Sequence, residues 1–422
     1  MSSIAWRVLA LGLVVGGGVT VRAQMQTVVA DTLNGKVVDG EPARELIGHV
    51  LLTQEHTRVT CDRALQYMRT GKFFLEGNVV VTDDSMTLRA PRGAYYQAER
   101  RAEAFDHVHL DDGTTNLSAE YGVYFAEPRR AFFRDHVVVV DSSSVIRSDS
   151  LIYWRTTRRS LATGHVRVQS PADRLTIYGG RLDHDAERLY SRMVVDPVLV
   201  QLDSASGGGF DTLQVRAISL EAYRDSTHRL IARDSVRMVR SDLAATCRYV
   251  CFYTRGDSMY LRNNPVIWYE KTQVSGDSIN VYLWKRKLQR LLVTGNAFAA
   301  SRSDSLRPER IDQVTGDTLM MRFGPEGLQR MDVEGRAISL YHLYDDSLAN
   351  GLNKTSGDRI VTHFAEGKAQ TITVYGGVEG QYFPENMVHS HEQDYALPGL
   401  LWRTNRPRRM PVDADHSPAP DH

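Results

Sequence analysis

Histidines recur at one spacing in the first half of this 422-residue sequence, and histidine is the side chain that most often binds metal ions. The column consists of Asn78, His107, His136 and His165, each twenty-nine positions after the last. If successive repeats are hydrogen-bonded neighbours in a sheet, these side chains would be stacked about 5 Å apart, the distance between strands. No acidic residue or cysteine recurs with them. The pattern therefore favours solvent-exposed stacking over a metal ladder.

The other candidate chemistry lies in the cysteines Cys61, Cys247 and Cys251, which are too few for a disulfide scaffold. Cys247 and Cys251 could form a disulfide or bind a metal ion, but no second Cys or His pair lies at zinc-site spacing beside them. We therefore predict that they are small apolar strand residues. The sequence has no nucleophile elbow and no repeated acid pair. We predict a protein that is not an enzyme and has no metal and no cofactor.

The composition is that of an ordinary globular protein, with 42% hydrophobic and 24% charged residues. Its 51 basic and 51 acidic residues give a net charge of zero. This balance offers no electrostatic reason to bind nucleic acid, so we exclude nucleic acid as a partner.

The N-terminus has the features of an export signal. One arginine precedes an apolar run of fourteen residues, Val8 to Val21, and Val21-Arg22-Ala23 fits the small-residue rule for cleavage. The run is shorter than the roughly 20 residues that span a bilayer, which favours cleavage over a retained anchor. We predict a signal peptide at residues 1–23 and an N-terminal lead-in at 24–45.

The strongest feature of the sequence is an internal repeat with the same interval as the histidine column. A small residue keeps the register in the first half of each repeat, and a valine keeps it eighteen residues later. These pairs are Cys61 and Val79, Ala90 and Val108, Ala119 and Val137, and Ser148 and Val166. Looser copies continue to residue 384 and bring the total to about ten. Such repetition indicates supersecondary pieces that bury their apolar faces by stacking.

Each repeat predicts a strand, a turn and a second strand. In "LSAEYGVYF", starting at Leu117, apolar residues alternate with polar or small ones, which is the period of a half-buried strand. We predict an all-β, elongated β-jellyroll of about ten strand-turn-strand repeats, in two regions at 46–212 and 213–384. The Pro-rich and charged segment 385–422 predicts a disordered tail or a short docking peptide.

The alternation also predicts an apolar face that runs along the whole stack. This face is either a packed core or a groove that accepts acyl chains, since sequence does not measure an empty volume. The residues predicted to line the groove are Val79, Val81, Leu88, Val108, Leu110, Leu117, Val123, Phe125, Val137, Val139, Ile152, Trp154, Val166 and Val168.

Three stretches resemble the OstA-like repeats of lipopolysaccharide-transport protein A and of the periplasmic domain of its outer-membrane partner. They are "LEGNVVVTDDSMTLRAPRGAYY", "ATGHVRVQS" and "NKTSGDRIVTHFAEGKAQTITVYGGVEGQYFP". The shared pattern is Gly-Asn-Val, a polar turn, and Leu-x-Ala before a Tyr pair, and the resemblance spans residues 46–384. It implies a twisted β-jellyroll, open along one edge, whose apolar interior carries the acyl chains of lipopolysaccharide between two membranes.

The resemblance implies a periplasmic protein, associated with the outer membrane or free of it, that binds lipopolysaccharide or lipid A. Its partners would be other lipopolysaccharide-transport components, joined end to end by β-strand augmentation. The alternative from another class is a structural or adhesive surface β-solenoid without lipid cargo. A polysaccharide-degrading β-helix is disfavoured, because it would need a regular column of charged residues on one sheet.

Overall fold

The computed structural model describes residues 27–54, 57–83, 86–204, 210–284, 287–302, 307–345, 348–365 and 368–412. The predicted signal peptide lies outside these residues. The chain divides into two compact units, of which unit 1 extends to Val195 and unit 2 is Asp196–Pro411. The division therefore falls before the predicted boundary at 212/213. Within the described ranges, no helix is long and apolar enough to cross a bilayer.

Unit 1 consists of β-strands, which confirms the all-β prediction. The strands are β1 (Thr27–Val29), β2 (Thr32–Val38), β3 (Glu41–Gln54), β4 (Thr57–Tyr67), β5 (Lys72–Asp83), β6 (Met86–Tyr96), β7 (Arg101–Asp111), β8 (Asn116–Phe125), β9 (Arg130–Val140), β10 (Val145–Trp154), β11 (Arg159–Ser170), β12 (Leu175–Asp185) and β13 (Tyr190–Val194). From β3 to β13, each strand is antiparallel to the next along the chain.

Unit 2 is also an antiparallel β-structure, followed by two short helical turns. Its strands are β14 (Val198–Ser204), β15 (Phe210–Arg216), β16 (Ser219–Tyr223), β17 (Arg229–Val239), β18 (Leu243–Tyr253), β19 (Ser258–Arg262), β20 (Val266–Tyr269), β21 (Thr272–Ser275), β22 (Ser278–Trp284), β23 (Lys287–Arg302), β24 (Ile311–Gly324), β25 (Gly327–Asp345), β26 (Leu348–Ala365), β27 (Lys368–Tyr375) and β28 (Glu379–Phe383). The turns are α1 (Glu385–Val388) and a 3-10 helix at Glu392–Tyr395.

The repeated register of the sequence corresponds to cross-strand pairs between neighbouring repeats. The valine of one repeat pairs with the small residue of the next, as in Val79 with Ala90 and Val108 with Ala119. A short side chain opposite a branched one keeps the pair compact on the inner face of the sheet. The predicted strand-turn-strand repeat is therefore confirmed in unit 1.

Every second strand of unit 1, from β3 to β11, contains a bulge at two consecutive residues with positive φ. Five such pairs, which recur at the interval of the sequence repeat, are Gly48-His49, Gly77-Asn78, Asp106-His107, Asp135-His136 and Gly164-His165. Gly, Asn, Asp and His are the residues that tolerate this conformation best. The strand pairing shifts register at each bulge, and a bulged strand bends there. The sequence repeat therefore also encodes a row of bends.

The predicted column of Asn78, His107, His136 and His165 is the second residue of each of these bulges. The column lies on β5, β7, β9 and β11, with one strand between each pair, so its members are spaced by about twice the strand distance, roughly 10 Å. The expected 5 Å spacing was therefore wrong. Within the described part of the chain, no three His, Cys, Asp or Glu side chains could hold a metal ion together.

Acidic partners do recur with this column, contrary to the sequence prediction. Asn78 Nδ2 donates to Asp62 Oδ2 at 2.9 Å, and His165 Nδ1 lies 2.7 Å from Asp149 Oδ2. Each acid precedes its partner by sixteen residues and lies on the neighbouring strand. His107 Nδ1 instead lies 3.0 Å from Glu120 Oε1, which follows it in the sequence, so three members of the column have acidic partners at the bulges.

Replacing Gly77 by alanine should destabilise unit 1 more than the same change at another left-handed glycine. Gly77 has a φ of +71°, and an added Cβ would lie 2.2 Å from Asp62 Oδ2. Gly113, with a φ of +81°, has no atom within 4 Å of an added Cβ, so Gly113→Ala is the matched control. We expect both variants to lose about 1–2 kcal/mol of unfolding free energy, because alanine is strained in the left-handed backbone conformation. Only Gly77→Ala should lose more, because of the close contact with Asp62. Equal losses in urea unfolding would contradict the close approach.

The three cysteines are free and buried, and Cys247 and Cys251 are buried residues of strand β18, as predicted. Burial raises the pKa of the Cys61 thiol to about 11 and that of Cys247 to about 12. A thiol with so high a pKa is a poor nucleophile and metal ligand, because the reactive form is the thiolate.

The segment after Pro384 is ordered through Val412, which corrects the prediction of a disordered tail for that part. Val388 and Leu397 are fully buried in a cluster with Phe298, Leu340 and Leu352 of unit 2. The Pro-rich, charged composition concealed these apolar contacts. The prediction of a docking peptide describes this part better.

Buried glutamines of unit 2 hold the same segment through its backbone. Gln313 Oε1 accepts a hydrogen bond from Leu397 N at 2.8 Å. Gln273 Nε2 donates to Leu401 O at 2.6 Å, and its Oε1 accepts from Arg403 N at 2.9 Å. Each glutamine therefore takes the place of a strand neighbour, so that an extended segment docks without extending the sheet.

Candidate binding cavity

The bulges decide which side chains face the interior of unit 1. Strict alternation along β8 would place Tyr121 and Phe125 beside Leu117. The pairing of β8 with β9 shifts at the bulge, and an added Cβ on Gly122 would lie 3.7 Å from Val108 Cγ1, so Gly122 faces inward instead. The inner face therefore changes phase by one residue on the strands between the bulged ones, such as β8. The bulged strands keep their alternation, so Val79 and Val81 of β5 face the same side as Leu75.

This change of phase corrects three of the predicted groove residues. Phe125, Ile152 and Trp154 lie on the opposite face of the sheet from the interior. Their neighbours Tyr124 and Tyr153 are buried instead. On that outer face, the guanidinium of Arg130 lies 5.3 Å from the centre of the Phe125 ring.

Unit 1 contains a partly open cavity of about 540 Å³. Its lining comes from both sides of the row of bulges, so the two halves of the bent sheet face each other across it. Apolar side chains make up most of the wall, namely Leu52, Val59, Phe73, Leu75, Val79, Val81, Leu88, Tyr95, Ala102, Ala104, Val123, Tyr124, Ala131 and Phe133. An unfilled apolar volume of this size is typical of a binding site rather than of a packed core.

The predicted groove residues separate into two groups around this cavity. Val79, Val81 and Leu88 line it, and Val123 borders it from the same face of β8 as Phe125, between the inward-facing Gly122 and Tyr124. The buried residues outside its lining are Val108, Leu110, Leu117, Val137, Val139 and Val166, and Val168 is partly buried. Whether lipid contacts any of these residues remains a prediction, and the cavity covers only the N-terminal part of the predicted groove.

Sequence reasoning missed several residues of the wall, including Phe73, Leu75, Ala104, Ala131 and Phe133. They lie on the bulged strands β5, β7 and β9 before the bulge, in phase with the inward-facing residues after it, such as Val79 on β5. The available signal was the alternation itself, which continues across the bulge on these strands.

Polar side chains border the cavity beside its apolar wall. They include Gln66, Arg92, Gln97, Arg100 and Glu103. Arg92 Nε donates to Asp106 Oδ2 at 2.6 Å, and Glu103 pairs with Arg101. An apolar chamber with charged groups at its border suits an amphiphile, whose hydrocarbon would be buried while its polar part stays near the border.

Comparison with known proteins identifies the region that forms most of this cavity. Residues 71–161 match the family described as OstA-like protein. This part of the chain is an OstA-like region. It contains β5 to β10, and with them most of the cavity wall. The match confirms the resemblance seen in the sequence.

Among solved structures, the chain is similar to LptH of Pseudomonas aeruginosa, described as the periplasmic component, homologous to LptA, of the conserved lipopolysaccharide transport device. The sequences are 12% identical, the match covers 34% of this chain and 95% of that chain, and the TM-score is 0.26. At this TM-score the likeness carries no argument. No curated protein matches the chain.

Proposed function

We propose that this protein is a periplasmic carrier that binds the acyl chains of lipopolysaccharide in the cavity of unit 1 and passes the lipid toward the outer membrane. The observation that carries the proposal is the coincidence of the apolar cavity with the OstA-like region. The resemblance of this region to lipopolysaccharide-transport repeats supplies the substrate class, and lipid A is the part of the molecule that bears the acyl chains.

The energetics of lipid transfer support a chamber of this kind. Exposing hydrocarbon to water costs about 0.8 kcal/mol per methylene group, so an acyl chain of about twelve carbons would face a barrier on the order of 10 kcal/mol in bare water. An apolar wall lowers this barrier without chemistry on the lipid. We therefore propose a binding function and not an enzymatic one.

The outermost strands offer a way to join other components of such a transport system. Within the described residues, β1 and β2 pair only with the two halves of β3. In unit 2, β27 and β28 likewise pair only with the two halves of β26. Unpaired strand edges are templates for β-augmentation. We propose that end-to-end joining with partner proteins uses these edges.

An aspartate in the cavity wall should strongly weaken lipid binding. Val81 lines the cavity, whereas Val80, the preceding residue of β5, lies on the opposite face and is the matched control. Both side chains are only partly buried, so both variants should fold. We expect Val81→Asp to weaken the binding of fluorescent lipopolysaccharide, measured by anisotropy, by tenfold or more, because a charge in the apolar wall opposes hydrocarbon.

The Val80→Asp control shows whether an aspartate outside the cavity also affects binding. Val80→Asp should bind as the unchanged protein does, and circular dichroism should show that both variants retain their strands. If Val81→Asp binds with unchanged affinity, the cavity is not the lipid site.

A further inference from the structure

Four arginines surround a second cavity, of about 310 Å³, which lies within unit 2. Arg216 and Arg237 come from β15 and β17, and Arg406 and Arg408 come from the C-terminal segment. The remaining lining residues are uncharged, namely Gln214, Val239, Thr246, Asn405, Pro407 and Met410. The described wall of this cavity therefore carries four positive charges and no carboxylate.

The two strand arginines are directly opposite each other. Arg216 on β15 is the cross-strand partner of Arg237 on β17. Like charges directly opposite each other destabilise a sheet, and an anion bound between them would offset this repulsion. Arg216 Nη2 donates to Pro411 O at 2.9 Å, while its buried Nε has no hydrogen-bond partner among the described residues. One donor of the Arg216 guanidinium is therefore unsatisfied by the described protein groups.

The C-terminal segment is positioned so that its arginines complete the cavity. Gln214 Nε2 donates to Met410 O at 2.8 Å, and Met410 N donates to Gln214 Oε1 at 3.0 Å. Arg409 pairs with Asp211 at 2.7 Å, outside the cavity lining. This fixed backbone leaves Arg406 and Arg408 at the cavity, and the Arg409 charge is neutralised elsewhere.

We propose that this cavity is a binding site for a phosphate group, and that its occupancy holds the C-terminal segment on unit 2. Guanidinium groups recognise phosphate oxygens through two parallel charge-assisted hydrogen bonds, and arginine is the residue best suited to this geometry. Because strands and segment each contribute two arginines, an anion bound between them links the segment to the sheet. The phosphate belongs either to a free ion or to a lipid headgroup.

The test uses the full chain and two phosphate sources. Inorganic pyrophosphate is titrated by calorimetry, and binding to phosphatidylcholine vesicles with and without phosphatidic acid is measured by sedimentation. Backbone hydrogen exchange of residues 405–410 is followed with and without pyrophosphate. We expect saturable binding of one of these sources and slower exchange of the segment when that source is bound.

The double variant removes charge at two exposed positions, so that folding is preserved. The double variant Arg406→Gln/Arg408→Gln should weaken binding by tenfold or more. Arg403→Gln is the matched control, because it removes a charge from the same segment outside the cavity lining. Binding of pyrophosphate alone identifies a free anion, and binding only to vesicles with phosphatidic acid identifies a headgroup.

Two results would overturn the proposal. One is the absence of binding to both sources, and the other is equal weakening in Arg403→Gln and the double variant, which would indicate unspecific charge attraction. Either result leaves the proposed role of unit 1 unaffected, since the two cavities share no residue.

Discussion

A chain that ends at Pro384 should have a much less stable unit 2 than the full chain. Arg310 is fully buried, and its carboxylate partners, Glu385 and Glu392, both lie beyond Pro384. Leaving a buried charge without partners costs about 3–5 kcal/mol. The same truncation uncovers the cluster around Leu340 and Leu352. Because whole domains are stable by only about 5–15 kcal/mol, we expect a low-temperature unfolding transition and binding of a hydrophobic dye.

Nested truncations separate the two contributions to this loss. A chain that ends at Tyr395 keeps both carboxylates and Val388 but lacks Leu397, so it should lose only part of the stability. The point variant Glu385→Gln removes one carboxylate and no apolar surface. Full stability in the chain that ends at Pro384 would show that the segment only lies on unit 2 without supporting it.

Replacing Asp332 by asparagine should destabilise unit 2 by about 2–3 kcal/mol at neutral pH. The carboxylate is almost fully buried and accepts two hydrogen bonds from Arg330, at 2.6 and 2.7 Å, and one from Arg359 at 2.6 Å. The Arg330 hydrogen bonds, with those of Arg359, lower the pKa of Asp332 to about 2. The difference between this pKa and the ordinary pKa of aspartate corresponds to the expected loss of unfolding free energy, since one pKa unit is equivalent to about 1.4 kcal/mol.

The stabilisation by Asp332 should depend on pH. Because the pKa of Asp332 is lower in the folded state than in the unfolded state, its contribution is complete above about pH 4 and is lost as the pH falls toward 2. The difference in unfolding free energy between the protein and Asp332→Asn should therefore shrink over this range.

Asp317→Asn is the matched control for Asp332→Asn. Asp317 pairs with Arg336 in the same unit, but both side chains are largely exposed. An exposed pair of this kind contributes little, so this variant should be as stable as the unchanged protein. Equal losses in the two variants would contradict the role assigned to the buried carboxylate.

The sequence predicted the strands of unit 1 well because the residues that repeat are small or apolar residues that must be buried. The small residue and the valine of each repeat, such as Ala90 and Val79, meet as cross-strand partners. The apolar alternation of "LSAEYGVYF" was correct up to the bulge and wrong after it. A period of two cannot show where the phase changes, whereas the positive-φ pair at Asp135 and His136 on the neighbouring strand does.

The C-terminal segment and the two cavities could not be predicted in the same way. The segment is held by single long-range contacts, such as that of Leu397 with Gln313, which leave no periodic signal. Four arginines converge on one cavity from positions as distant in sequence as Arg216 and Arg408. The volume of the cavity in unit 1 depends on how far apart the halves of the bent sheet lie, and alternation carries no information about that distance.

The most direct test of the carrier function is native mass spectrometry, with lipid extraction, of the protein purified gently from the cells that produce it. We predict a protein mass increased by bound lipid, and lipopolysaccharide or lipid A in the extract. The Val81→Asp variant, purified in parallel, should lose this added mass. A lipid-free mass for the unchanged protein, with no lipid in its extract, would contradict the carrier function and favour a structural β-solenoid.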